Sequence, residues 1–308
     1  MARIYLPEGE ILKTVKNSKN LFSISTIEEA LKTGEILEAK AISCDLEHNL
    51  LVDLGCMKGI IPRTEGAIGI LEGITRDIAL ISRVGKAVTF IVDGFTHDDS
   101  GNRIALLSRR KAQQLCRDEY INSLIPGDII PAKVTHIESF GAFCDIGCGC
   151  IALMPIDTIS VSRISTPADR FTCGDTIKAV IKSIIDGKIT LSMKELLGTW
   201  EENAANFSQG ETVSGIVRSV ESYGIFVELT PNLAGLAESR PGISVGQSAS
   251  VYIKSILPDK MKVKLIIIDA FDSENSKSPK NYYLDDMHID RWRYSPECCN
   301  RIVESVFQ

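Results

Sequence analysis

Through residues 128–137 the chain alternates, with Ile130, Ala132 and Val134 set against Lys133 and Thr135. A period of two marks a half-buried β-strand, because successive side chains leave opposite faces. Short strand-like stretches follow in "GAFCDIG" and "CIALM", separated by the glycines of "GCG", where the chain can turn sharply. "TIKAVIKSII" is β-branched and long enough for a fourth strand, and "KITLSM" makes a fifth after Asp186-Gly187, a hairpin turn pair. Five short strands with a loop region between the third and fourth predict a small closed Greek-key barrel. Closure removes the exposed sheet edges that would otherwise burden so small a unit.

The pattern recurs. "GDIIPAKVTHIESFGAFCDIG" (127–147) and "GETVSGIVRSVESYGIFVELT" (210–230) align without a gap. Gly127 falls on Gly210, Val134 on Val217, Phe140-Gly141 on Tyr223-Gly224, and Phe143 on Phe226. Downstream, "CGDTIKAVIKSII" faces "VGQSASVYIKSIL", and "GKITL" faces "MKVKL". A more distant copy begins at "GEILEAKAISCDLEHNLLVDLGCMKGIIP" (34–62) and continues through "VGKAVTFIVDGF" and "NRIALLSRR"; it needs a one-residue gap, and His48 and Leu51 replace the two rings.

Helix-like stretches separate the copies: "RRKAQQLCRDEYINSL" (109–124) and "KELLGTWEENAANF" (194–207). "STIEEALKTG" (25–34) predicts an N-terminal helix capped by Thr26 with Glu29 three residues on. "FDSENSKSPKN" (271–281) reads as a polar loop, and the last dozen residues after Pro296 read as helical. The predicted architecture is mainly β with helical linkers. An N-terminal extension with a short helix (1–33) precedes a divergent first barrel (34–110), a helical linker (111–126) and a second barrel (127–193). A second helical linker (194–209), a third barrel (210–270) and a tail with a short helix (271–308) complete it.

Composition narrows the function. Of 308 residues, 44% are hydrophobic and 24% charged, ordinary for a globular protein with a real core. The start has no signal-peptide apolar core, so a cytoplasmic location is expected. A net charge of −6 argues against a surface coated in phosphate-seeking charge, and leaves room only for a local binding face. Nine cysteines, odd in number and irregularly spaced, predict reduced thiols. Cys144, Cys148 and Cys150 lack the second knuckle of a zinc site, and alternation puts Cys144 in the core place held by Val227. No metal or cofactor is expected. A Gly-rich phosphate loop and a nucleophile with a placed base are both missing from the sequence, so no enzymatic activity is expected.

"Phe-Gly-x-Phe-x-Asp" after "Gly-x-x-x-x-(Ala/Gly)-x-Val", then "VSRISTPADRF…GD" and "KITLS", resembles the ribosomal S1-type RNA-binding domain, a subclass of the five-stranded OB barrel. The resemblance covers roughly residues 34–270, and the tandem array resembles the ribosomal S1-like proteins of Gram-positive bacteria. It implies single-stranded RNA lying beside the two rings and an acid–base pair at the last hairpin. These are Phe140, Phe143, Asp186 and Lys188 in the second copy, and Tyr223, Phe226, Asp259 and Lys262 in the third. Pro155 stands where the family often has a histidine. The first copy keeps Arg103 but lacks both rings, and is expected to be structural or to bind weakly.

Spacing alone fits rings buried in a core, since strand aromatics usually are. Both copies, however, set rings either side of the glycine while Val and Ile fill the interior, which predicts outward rings able to stack on any base. Phe143 and Asp145 would then share the outer face, and Lys133, Arg218, Lys188 and Lys262 would meet phosphates. Asp186 and Asp259 either orient those bases or merely form turns. In "HIDRWRYSP" Trp292 either extends the RNA track or, the favoured reading, anchors the tail on the last barrel. The expected function is non-catalytic binding of single-stranded RNA, with mRNA and the small ribosomal subunit as the partners the resemblance implies. The alternative is a protein-interaction scaffold docking on the ribosome or an RNA-processing nuclease.

Overall fold

The computed structural model describes residues 4–98, 100–272 and 281–307. Among them the strands close three five-stranded barrels. The first is built from β1 (Leu37–Cys44), β2 (Leu50–Asp53), β3 (Lys58–Ile61), β4 (Ala87–His97) and β5 (Arg103–Ser108). The second is built from β6 (Ile129–Glu138), β7 (Gly141–Asp145), β8 (Ile151–Pro155), β9 (Thr176–Ile185) and β10 (Lys188–Ser192). The third comprises β11 (Thr212–Glu221), β12 (Gly224–Thr230), β13 (Leu233–Ala237), β14 (Ser248–Leu257) and β15 (Lys262–Phe271). In each, the third strand closes the sheet by pairing parallel to the fifth: β3 with β5, β8 with β10, β13 with β15. These are the OB-type barrels that the alternation predicts. Bulges between Ala41 and Ser43 and between Val217 and Ser219 bend the first strand of two barrels so that the sheet can close.

The N-terminal helix forms at the expected length, and the two linker helices are shorter than the sequence suggests. The helices are α1 (Val15–Asn20), α2 (Ile24–Thr33), α3 (Ile78–Ile81), α4 (Arg109–Glu119) and α5 (Trp200–Ala204). Ser23, not Thr26, caps α2; Thr26 closes a reciprocal box with it from the third helical position. A 3₁₀ turn at Lys194–Leu197 precedes α5. Gly198 separates the two with φ +83°, where a side chain would strike the Tyr283 ring. The helix expected after Pro296 does not form. Instead β16 (Arg291–Arg293) pairs antiparallel with β17 (Glu304–Val306). The pairing suits Trp292 and Phe307, both buried in a core cluster that takes in third-barrel residues together with Ile129 and Val180 of the second barrel and Trp200 of the linker; Trp292 packs in a core and does not extend an exposed RNA track. Most of the loop expected at 271–281 lies outside the described residues.

By internal contacts the chain divides into two compact units. The first comprises Met1–Leu124 with Pro131–Lys133 and Asp145–Ile151, and the second holds the remainder. The first unit contains a buried knot of charge. Arg109 donates to both carboxylate oxygens of Glu8 at 2.7 and 3.0 Å, and Arg83 adds a third contact at 3.1 Å. Asp145 accepts the Glu8, Gly147 and Gly149 amides at 2.7, 2.8 and 3.0 Å. It thereby holds a turn in which Gly147, Cys148 and Gly149 all have positive φ. Gly149 has no alternative: a Cβ there would lie 1.9 Å from the Arg109 guanidinium. Asp145 is therefore buried and structural, contrary to its expected place on the outer face with Phe143. Period-two reasoning fails at a strand's last residue, where a turn takes over.

The charge knot predicts how stability varies with pH. Burial, reinforced by Glu8, pushes the Asp145 carboxyl up to about 6. Burial pushes Glu38 up to about 7, although its oxygens accept the Gly9 and Leu12 amides. A carboxyl raised on folding binds more protons folded than unfolded, so stability falls as pH rises through that interval. Glu8 is shifted the other way: burial raises it, but Arg109 and then Arg83 outweigh burial and hold it low. Its contribution is lost only in acid. The melting temperature should therefore fall between about pH 5 and about pH 7.5, and Glu38→Gln should flatten that slope. A melting temperature that climbs across the interval would contradict the assignment.

In the second unit the second and third barrels are joined through buried polar groups. The Arg170 guanidinium, in the loop between β8 and β9, grips both oxygens of Glu228 on β12 at 2.7 and 2.6 Å. Arg218 on β11 approaches the same carboxylate at 2.8 Å. The Val161 amide donates to the Asn232 side chain, and the Ser162 amide to the Pro231 carbonyl. Burial would raise the Glu228 carboxyl, but the hydrogen bonds and charges of Arg170, then Arg218, hold it below the ordinary range.

Candidate nucleic-acid interface

Glycine explains the ring-Gly-x-ring spacing. At Gly141 a Cβ would sit 2.6 Å from the Met154 carbonyl, and at Gly224 2.6 Å from that of Ala237. The neighbouring strand passes too close for a side chain at either place, so the flanking residues carry the rings. Phe140 is 54% exposed and Tyr223 68%, while Phe143 and Phe226 are half-buried. Phe140 and Phe143 meet edge to face, centroids 6.1 Å apart at 89°. Tyr223 and Phe226 repeat the arrangement at 6.2 Å and 84°. Each pair thus leaves an aromatic face in water, braced by its partner.

Strand register builds the rest of the face. On the third barrel Ser219, Phe226, Leu236 and Lys264 lie in one row across four strands. The next row, Ile225, Ala237 and Leu265, points into the core and is buried. Leu236 and Lys264 are exposed, so the ring platform continues into an apolar patch and then a lysine. On the second barrel Leu153 lies beside Gly141 and pairs in register with Thr190. His136 adds a third ring there, its centroid 6.2 Å from that of Phe143 at 28°, with Glu138 2.7 Å from its Nε2.

The structure does not place all the predicted residues together. Lys188 and Lys262 are exposed where the last strands begin, beside the hairpin turns. Asp186 is exposed with φ +50° and followed by Gly187 at +72°, a turn-forming position; Asp259 is exposed in a 3₁₀ turn. Lys133 is turned away: its ammonium donates to the Glu8 carbonyl at 3.0 Å and meets Glu10 at 3.3 Å. The Arg218 side chain is only 7% exposed, committed to Glu228. Both bases fall on outward strand positions, but acids distant in sequence cover them. Arg103 is likewise occupied, resting over the Phe95 ring at 3.9 Å and paired with Glu28 at 2.7 Å.

Reading the sequence missed His136, Leu236 and Lys264. The alternation of Lys262, Lys264, Ile266 and Ile268 against Val263, Leu265 and Ile267 carries a signal for Lys264. Leu236 emerges only from the register, and His136 only from its ring contact with Phe143. Cys144 is fully buried in the second barrel, as Val227 is in the third. Among the described residues no group of three His, Cys, Asp or Glu side chains is set to hold a metal ion. Nor does any described helix have the length and apolarity to cross a membrane.

Residues 123–194 match the family model of the S1 RNA binding domain. That stretch takes in the whole of the second barrel. The chain is similar to small ribosomal subunit protein bS1 of Staphylococcus aureus, 32% identical over 187 residues covering 59% of this chain and 45% of that protein. The corresponding Staphylococcus epidermidis protein is 30% identical over the same shares. The match thus spans less than half the length of these relatives. Among solved structures, a Streptococcus pneumoniae multidomain protein with nucleic acid binding domains aligns over 77% of this chain and 74% of its own. Its identity is 13% and its TM-score 0.25. The S1 match covers the second barrel and its flanks, and the third barrel repeats its ring geometry.

Proposed function

We propose that the protein binds single-stranded RNA, without catalysis, on the ring faces of its second and third barrels, in a role connected with translation. The observation that carries this reading is the repeated, water-facing edge-to-face pair, Phe140 with Phe143 and Tyr223 with Phe226. Every base has a π-face, so such platforms bind without reading sequence. The S1 domain match supports RNA as the target and the relatives' name supports a place near the small ribosomal subunit; messenger RNA is the RNA this proposal names. Lys264, in the ring row, and Lys188 and Lys262, beside the hairpin turns, supply phosphate contacts; Lys133 and Arg218 do not. Asp186 and Asp259 serve as turn residues at the hairpin ends. The first barrel, without rings and with Arg103 paired, has a structural role.

Fluorescence anisotropy with a labelled single-stranded RNA over a salt series tests the reading. Because few lysines flank the rings, the dependence of log K on log salt should be shallow. The Lys188→Ala/Lys262→Ala variant should lose about 0.7 of slope for each contact removed. An unchanged slope, or no binding by the intact protein, contradicts the proposal. Partners that remain bound after RNase digestion would instead favour a protein scaffold.

A further inference from the structure

The three sulfurs of 144–150 do not act together. Cys144 lies inside the second barrel, while Cys148 and Cys150 belong to the first unit, where α4 brings up Cys116. Helix and turn are in direct contact: a Cβ on Gly147 would lie 2.8 Å from the Cys116 sulfur. Cys116 is within side-chain hydrogen-bonding reach of both Cys148 and Cys150, and the Cys150 thiol also approaches the Gln113 carbonyl at 3.9 Å. Cys116 and Cys148 are sealed from water, whereas Cys150 is only partly buried. One partly accessible thiol therefore abuts a buried one across 33 intervening positions of chain.

We propose that Cys150 and Cys116 form a thiol pair oxidised by hydroperoxides to a disulfide that staples α4 to the turn before β8. The Cys150 thiolate attacks a peroxide oxygen, breaking the O–O bond and giving a sulfenic acid and the alcohol, or water from hydrogen peroxide. The Cys116 thiol then attacks that sulfur; the S–S bond forms and water leaves with the Cys116 proton. Two electrons pass from the pair to the peroxide, and a dithiol reductant reverses the change. Cys150 suits the first step because its hydrogen bond with Cys116, then the charges of Arg109 and Arg117, hold its thiol below the ordinary value. They outweigh burial and Asp145, which push it up. A thiol with lowered pKa and some access to solvent, beside a resolving cysteine, is the arrangement that peroxide-reactive cysteines share. Cys173 and Cys298 are exposed and serve as internal comparisons.

The test is to treat the reduced intact protein with hydrogen peroxide, block remaining thiols with iodoacetamide and map peptides without reduction. The free-thiol count should fall by two from nine. A Cys116–Cys150 peptide, lighter by two hydrogens, should appear before Cys173 or Cys298 is oxidised and disappear with a dithiol. In Cys116→Ser, Cys150 should stop at the sulfenic acid and be trapped by a cyclic 1,3-dione. The mapping of unmodified protein keeps the proposal testable if that variant does not fold. Earlier oxidation of Cys173 or Cys298, or a link between Cys116 and Cys148, overturns it.

Discussion

Replacing Glu228 with Gln is expected to cost about 3–5 kcal/mol of stability, because removing one member of a buried ion pair strands its partner's charge. Arg170 is stranded in this case, and Arg218 keeps only a longer contact with Asp169 at 3.8 Å. Arg170 and Glu228 are 1% and 0% exposed and Arg218 only 7%, so without the carboxylate two cations face each other with little water between them. Arg170→Met should cost less, since Glu228 keeps Arg218. This ordering is the discriminating feature. A mere loss of packing would make the larger residue, Arg170, the more damaging change. Urea denaturation at neutral pH reads both variants, and midpoints equal to that of the unmodified protein would contradict the account. The bridge also has a functional side. Glu228 lies two residues beyond Phe226 on β12, and Arg170 reaches it from the second barrel. Loosening it should lower RNA affinity by weakening the coupling of two modest sites.

The Phe140→Ala/Phe143→Ala variant should bind single-stranded RNA more weakly by about 1–3 kcal/mol for each base that loses its platform, roughly 5- to 150-fold. Phe140 is more than half in water, so its removal takes little from the core and the folded state should survive. Residual binding should persist through Tyr223 and Phe226 and disappear when these too become Ala. Equal affinities for the unmodified protein and the four-ring variant, both folded by circular dichroism, would remove the rings from the site.

The barrels were legible because period-two alternation and the Gly-punctuated repeat both encode local backbone geometry. The ring pairs were legible for the same reason: Gly141 and Gly224 are required by the strand beside them, so the motif carries its own steric explanation. What stayed hidden depends on partners distant in sequence. Lys133 and Arg218 occupy outward positions, yet Glu8, Glu10 and Glu228 claim them. Asp145 is drawn inward by the Glu8 amide and the turn it caps. The tail's helical propensity yields to burial of Trp292 and Phe307 in the core cluster shared by the barrels and the linker, a tertiary gain larger than any local preference. Leu236 and Lys264 join the face only through cross-strand register.

The most direct measurement is photocrosslinking of the intact protein to a thiouridine-substituted single-stranded RNA, with the adducts located by mass spectrometry. The account predicts adducts on the ring-bearing segments 139–143 and 222–226, and their loss when the four rings are replaced by Ala. Adducts confined to residues 4–124, with both ring segments unmodified, would contradict it.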